Sequence, residues 1–448
     1  MCIILCMNTD FFSGLSKQQM IVLGVGGAIV LFVILGILGI IPIFKSSASL
    51  DPNFPTGKVT LQVWGIGDET SAFAAIQGTY QAQPVSKDVS IQYTKFDSVD
   101  AYETALTQAL AEGRGPDVFM IKNDWVPKDV AKTVPAPLTL VTPLMVQQAF
   151  PQAVAKDVVL TATDNNQYVY ALPLEFDALA LLYNKDLFNA HAVVYPPTTW
   201  DAVVQLLPTL RETDAQKNIT VSPIALGSAH TVQNFDDILS LLMLQSGAPI
   251  ITQNGMMLDG PAQQAIAFYL QFANPTNVNY AWNDSLGNAR DAFAAGKTAM
   301  IIDTHSAIAE ILKKNNFMNI GTAPVPQLTT ATQNAQTLAS YWNLAVSRQS
   351  KQPYVAWHFV RFATMTPEVS AAYMQATGKL PALLSLINQD KEGVNSAFLK
   401  SFLVARTWAR KDDEMIKSVW AQMLDNIALG KTDLGQGARI AQDEINSH

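Results

Sequence analysis

The chain has 448 residues, more than one hydrophobic core usually serves, so two lobes are the default expectation. Apolar residues make up 49% and charged residues 15%, which argues against a disordered chain and points to a folded body plus a membrane segment. A formal net charge of −8 with no basic run argues against nucleic acid as a partner.

Residues 1–19 form a short N-terminal segment. Met20 to Phe44 follows with no charged residue and a predominance of Ile, Val, Leu and Gly, long enough as a helix to cross a bilayer core of about 30 Å. A cleavable signal peptide competes with this reading, because Ser47-Ala48-Ser49 supplies small residues after the run. The run exceeds the usual signal core of roughly 7 to 15 residues, which favours an uncleaved anchor over 20–44. Lys17 and Lys45 flank it on both sides, so flanking charge orients it only weakly. Cys2 and Cys6, the only cysteines, both precede it, so the body has neither a disulfide nor a metal-binding thiol, and no lipid-attachment cysteine follows the run. Residues 45–57, with Pro52 and Pro55, read as an extended tether.

The body opens with strands at Val59 to Trp64, Val89 to Tyr93 and Asp117 to Ile121. Between the last two, Tyr102, Ala105, Leu106, Ala109 and Leu110 share one face of a helix over Ser98 to Glu112. Ser98 or Asp100 can cap it and Gly113 can end it. Alternating strands and helices over about sixty residues imply parallel pairing, with ligands meeting the loops after the strands' carboxyl ends. Those loops are Trp64-Gly65-Ile66-Gly67-Asp68 and Lys122-Asn123-Asp124-Trp125.

Val134 to Pro143 reads as an irregular connection, Leu144 to Leu160 as helical, and Tyr168 to Pro173 as a strand. A second apolar run, Ala178 to Tyr183, follows with no helix between, which suggests a crossing from one lobe to the other. Helices are expected at Trp200 to Thr213, Asn234 to Gly247, Gly260 to Phe272, Ser285 to Ala295 and Ser306 to Asn315. Strands are expected at Pro223 to Leu226, Thr298 to Ile302, near Ile320 and at Tyr341 to Ser347. The remainder is mostly helical: Pro353 to Thr364, Pro367 to Ala376, Ala397 to Arg406, Asp412 to Leu429 and Thr432 to Ile445.

A set of short motifs recurs in this order: Gly115-Pro116-Asp117-Val118; Tyr170-Ala171-Leu172-Pro173 with Leu182-Tyr183-Asn184-Lys185-Asp186; Pro197-Thr198-Thr199-Trp200; Phe293-Ala294-Ala295-Gly296-Lys297-Thr298-Ala299-Met300; and Gly378-Lys379-Leu380-Pro381. With these the chain resembles the extracellular solute-binding proteins of family 1, the sugar-binding class of the ABC importers related to maltodextrin-binding protein. The resemblance implies an α/β, two-lobed periplasmic-binding-protein-like fold of type II, here behind an N-terminal transmembrane helix. It implies crossings near Leu174 to Asp177, Ile301 to Thr304 and Ser340 to Leu344. The expected lobes are 58–174 plus 303–340 and 175–302 plus 341–448.

A sugar cleft needs aromatic platforms for flat C–H faces and polar side chains for the hydroxyls around them. Trp64, Trp125, Trp282, Tyr341, Trp342 and Trp408 stand at expected strand ends or in loops, with Asp68, Asn123, Asp124, Glu175, Asp303 and Arg406 as polar candidates. Each tryptophan also has a bland reading as core; Trp200 and Trp357, at helical core spacing, are left out of the site for that reason. No HExxH, GxSxG, P-loop or GxGxxG motif stands in a suitable context, so no catalysis and no cofactor are expected.

The expectation is a single-pass cell-membrane protein, its body on the extracytoplasmic side, passing a sugar or oligosaccharide to an ABC importer permease. Polyamine binding, or a tethered sensor or adhesion role, are the alternatives.

Overall fold

A computed structural model describes residues 53–447, apart from residues 69, 253–254, 330–334, 390–391 and 411. The expected membrane segment Met20 to Phe44 lies outside the described residues. Among the described residues no helix is long and apolar enough to cross a membrane.

The first expected unit forms as read. Strands β1 (Val59–Ile66), β2 (Val89–Phe96) and β3 (Val118–Lys122) run parallel, with Val59 opposite Val89 and Val63 opposite Val118. Helices Thr70–Gln81 and Val99–Ala111 make the crossovers. Ser98 Oγ accepts the Ala101 N–H at 3.3 Å to start the second helix, and Gly113 takes φ 70° just past its end. Its buried face carries Tyr102 and Leu106, and the Tyr102 hydroxyl donates to the Met120 carbonyl at 2.5 Å. That bond ties the helix to β3, whose carboxyl end opens on the site.

Leu144 to Leu160, expected as one helical stretch, is two helices, Pro143–Ala149 and Gln152–Val158. The separating residue Pro151 lacks the N–H that a continuous helix would use. The chain then forms β4 (Leu172–Pro173), crosses at Leu174 to Phe176, and enters the second lobe with β5 (Asp177–Ala178) and β6 (Ala180–Asn184). The crossing is held by Phe176, which stacks on Phe402 with ring centroids 3.9 Å apart.

In the second lobe β6 is central and antiparallel to both β7 (Met300–Asp303) and β8 (Ile320–Pro324). Expected helix Ser285 to Ala295 is a 3-10 turn, Asp284–Leu286, and a helix, Ala289–Ala294, because Gly287 between them adopts φ 77°. Pro223 to Leu226 lies outside any strand; Ile219–Val221 is the strand there. Strand β9 (Thr337–Ser340) pairs with β5, and the chain returns to the first lobe at Tyr341.

Strand β10 (Trp342–Val346) then inserts antiparallel beside β3, Leu344 opposite Met120, completing the order β2-β1-β3-β10-β4. Helix Pro353–Met365 covers this sheet, and helix Pro367–Thr377 packs on that helix and on helix Thr70–Gln81. The chain goes back to the second lobe between Leu380 and Ser396, where helix Ser396–Leu403 packs on β8 and β5. Strand β11 (Ala405–Arg406) pairs with β9, and helices Asp413–Ala428 and Leu434–Ser447 follow.

Two expectations are therefore corrected. Residues 303–340 belong with the second lobe, because β8 pairs with β6, and residues 342–377 belong with the first, because β10 pairs with β3. Ile301 to Thr304 is no crossing: it ends β7, and the chain turns back into the same sheet.

Candidate functional site

The site lies where the carboxyl end of β3 faces the β5–β9–β11 ribbon. From the first lobe come Lys122, Asn123 and Asp124. Facing them are Asp177, Thr304, Ser340 and Asp237, and the segment after β11 adds Thr407, Trp408 and Arg410. Together they line a narrow, partly open cleft with about 390 Å³ of empty space, open solvent included. A wider, more open groove along helix Gln152–Val158, walled by Phe150, Leu384 and Leu403, has Lys156 as its only charged lining residue among the described residues.

The loop after β3 is held from behind. The Asn123 N–H donates to the Tyr341 carbonyl at 3.0 Å, and Asn123 Oδ1 accepts the Tyr341 N–H at the same distance. Asn123 Nδ2 donates to Asp157 at 3.3 Å. Asp157 also accepts from the Tyr341 hydroxyl and, across the cleft, from Thr407 Oγ1 at 2.6 Å. Burial pushes the Asp157 carboxyl up to about 6 against these three bonds.

Charge concentrates at the mouth. Lys122 Nζ lies 3.6 Å from Asp124 and contacts Asp413 of the opposite lobe. Arg410 reaches Asp236 at 3.3 Å, Asp237 at 2.5 Å and Asp413 at 3.8 Å. Burial pushes the Asp124 carboxyl up to about 6, opposed by Lys122, and pushes Asp236 up similarly. Burial works against the charge on Lys122, yet Asp124 and Asp413 hold its pKa above the ordinary value. Asp124 Oδ1 is buried with no hydrogen-bond partner. A carboxylate oxygen facing a cavity in this condition accepts a donor readily, because leaving it unpaired carries a desolvation penalty.

Of the residues expected at the site, Asn123, Asp124 and Trp408 line the cavity. The others stand elsewhere. Trp64 packs on Phe96 at 5.2 Å. Trp125 is buried edge-to-face against the half-buried Trp342, and Lys128 lies over its ring. Trp282, expected in the cleft, is fully buried in the second lobe with its Nε1 donating to Thr231 Oγ1 at 2.9 Å. Tyr341 is buried behind the loop, where it serves Asp157.

The expected acids and Arg406 are likewise spoken for. Asp68 pairs with Lys379 at 2.6 Å and accepts from the Tyr373 hydroxyl. Glu175 is buried at the crossing and accepts the Trp342 N–H at 3.2 Å; burial pushes its carboxyl up to about 7. Asp303 is held by Arg290 at 2.8 Å and by Asn234 at 2.5 Å. Arg406 Nη1 donates to the Ala405 carbonyl.

The sequence reading missed Lys122, Asp157, Asp237, Arg410 and Asp413 as site residues. Two local signals point to them: Lys122 directly precedes the expected Asn123-Asp124 pair, and Arg410 to Asp413 is a charged run at a helix start. Asp177 sits in the expected crossing, and its carboxylate accepts the N–H groups of His305 at 2.7 Å and Ser306 at 3.1 Å.

Comparison with known proteins adds a family match. The family model of bacterial extracellular solute-binding proteins matches residues 66–367. The chain is similar to the maltotriose-binding protein of Pyrococcus abyssi, 24% identical over 365 residues that cover 78% of this chain and 71% of that one. It is also similar to a probable ABC transporter-binding protein of Deinococcus radiodurans, 26% identical over 284 residues, 60% of this chain and 62% of the other.

Among solved structures, a cyclo/maltodextrin-binding protein complexed with maltotetraose superposes with TM-score 0.71 at 20% identity, covering 87% of this chain and 97% of that one. The cyclic α-maltosyl-1,6-maltose binding protein from Arthrobacter globiformis gives TM-score 0.71 at 18% identity, covering 87% and 99%. At this identity the likeness speaks to the fold, and the fold is the two-lobed periplasmic-binding-protein-like arrangement of lobes joined by crossings.

Proposed function

The chain belongs to the bacterial extracellular solute-binding proteins, a family of binding proteins and not of enzymes, and on that premise we propose that it captures a carbohydrate between its lobes and delivers it to an ABC importer. The observation that carries the reading is the unpaired, buried Oδ1 of Asp124 in a cavity whose wall also offers the hydroxyls of Thr304, Ser340 and Thr407 and the ring of Trp408. A carboxylate, hydroxyls and one indole face are what a hydroxylated ring requires. The carbohydrates in the names of the similar proteins support the same class.

Capture proceeds by closure of the lobes about the crossings at 174–176 and Tyr341. Cross-lobe bonds such as Lys122 to Asp413 and Thr407 to Asp157 form on closure, and the solute must add contacts that the open form lacks. The closed form is what the permease would engage. The apolar run Met20 to Phe44 would tether the body on the outer face of the membrane.

The test is tryptophan fluorescence of the detergent-solubilised full chain during titration with mono- and oligosaccharides. Trp408 lines the cavity and stacks near Trp420 at 6.0 Å, so a saturable change is expected with one saccharide class. Silence with every saccharide, confirmed by calorimetry, sinks the carbohydrate reading; a response to polyamines alone replaces it.

A further inference from the structure

The cavity is rich in charge and poor in aromatic surface. Trp408 is the single aromatic side chain along its described wall, against five charged ones. Even that ring is partly engaged, because the Arg410 guanidinium lies over it at 4.7 Å. The ring therefore already serves as a seat for a cation.

The charges at the mouth do not balance. Two cations, Lys122 and Arg410, stand in ion-pair range of four carboxylates, those of Asp124, Asp236, Asp237 and Asp413, and Lys417 acts on Asp236 from beyond that range, which still leaves one more negative charge than positive. Asp177 stands apart from this count, since its carboxylate caps the helix Ser306–Lys314 through two backbone N–H groups. An excess of negative charge in a site this buried is costly unless something positive joins it. Two oxygens mark where it would join: Asp124 Oδ1, on the cavity wall in a residue only 7% exposed, and Asp413 Oδ1, behind Lys122 and 3.8 Å from Arg410, are both buried without a hydrogen-bond partner.

These two carboxylates come from opposite lobes and share Lys122 between them. Building on the carbohydrate reading above, we infer that the solute is a saccharide bearing a free amino group, of the glucosamine class, whose ammonium lies against Asp124 and Asp413. An ammonium brings three donors and one positive charge to that point. A hydroxyl or an acetamido group brings donors without the charge and leaves the excess in place. The same contact links the lobes, so it is made only in the closed form and favours closure.

The test is calorimetric titration of the full chain in detergent at about pH 7 with four probes: a glucosamine oligomer, its fully N-acetylated counterpart of equal length, a maltooligosaccharide, and spermidine. The glucosamine oligomer is expected to bind about tenfold or more tighter than its acetylated counterpart. Asp124→Asn, which keeps the shape and removes the charge, is expected to abolish that advantage; Asp413→Asn serves if the first variant does not fold.

A second readout needs no variant: the advantage should shrink from about pH 7 to about pH 5 as Asp124 takes up a proton, its neighbours being Lys122 at the end of the preceding strand and Asp413 and Arg410 across the cleft. Equal or tighter binding of the acetylated oligomer or the maltooligosaccharide overturns the amino-sugar assignment and leaves the carbohydrate reading intact. Binding of spermidine with no saccharide binding, or no binding of any probe, overturns both.

Discussion

Two buried acidic clusters in this molecule use the same residue types to different ends. At the crossing, Asp68 and Glu175 share the charge of Lys379, and each is closed off by a further donor, the Tyr373 hydroxyl or the Trp342 N–H. At the cleft mouth, four carboxylates share Lys122 and Arg410, two of them, Asp124 and Asp237, line a cavity, and Asp124 Oδ1 stays unpaired. Burial alone does not distinguish them, because Asp68 and Asp124 are both buried. What separates a carboxylate that holds the fold from one that awaits a solute is the accounting of its partners.

The strongest way to break that contrast is to remove the cation at the crossing. Lys379→Met leaves Asp68 buried beside a tyrosine with no counter-charge, and the expected cost is about 3–5 kcal/mol of stability. Thermal and urea denaturation read it directly. A variant as stable as the parent would mean that the crossing cluster does not hold the fold, and the distinction would collapse.

Glu175→Gln sharpens the contrast in the opposite direction. The folded protein holds this carboxyl at about 7 against an ordinary 4.5, because burial penalises its charge. Between those values the folded state binds a proton that the unfolded state has released, so stability falls as pH rises through the window, and the penalty is complete above about pH 7. Glutamine keeps an acceptor for the Trp342 N–H and has no charge to bury. The variant is therefore expected to be more stable by about 2–3 kcal/mol at pH 8 and equal to the parent near pH 4. Equal melting temperatures at pH 8 would rule out the buried charge as a burden.

How far this was legible in the sequence follows from the range of the interactions involved. The β1–β3 unit, the Ser98 cap and the Gly113 stop are written within a few residues of one another, and they form as expected. Asn123 and Asp124 were legible because a loop after a parallel strand faces the cleft in this architecture. Trp282 misled because its loop looks polar. In the fold both its own N–H and that of Ala281 donate to the Phe272 carbonyl, and Thr231 receives its indole, so contacts distant in sequence bury it.

The lobe assignment failed at β8 and β10 for a related reason. Pairing partners 136 and 224 positions away, Asn184 for Ile320 and Met120 for Leu344, leave no trace in the local pattern. Arg410 and Asp413 escaped notice likewise. Their role exists only because the second lobe brings Asp236 to one side of them and the first lobe brings Lys122 to the other.

The smallest expected effect isolates closure from folding. Thr407 Oγ1 donates to Asp157 Oδ1 at 2.6 Å, and the two residues belong to different lobes. Thr407→Val keeps the volume and deletes one hydrogen bond that exists only when the lobes are together. The Asp157 carboxyl retains Tyr341 and Asn123 on its own side, so the first lobe stays satisfied and the melting temperature of the ligand-free protein should move little. Closure should weaken by about 1 kcal/mol, which lowers solute affinity about fivefold. The loss should be greater above about pH 6, where Asp157 is ionised and the deleted bond is charge-assisted. A lowered melting temperature with unchanged affinity would assign Asp157 to the same structural class as Asp68, and the cleft cluster would end at Asp124 and its ion pairs.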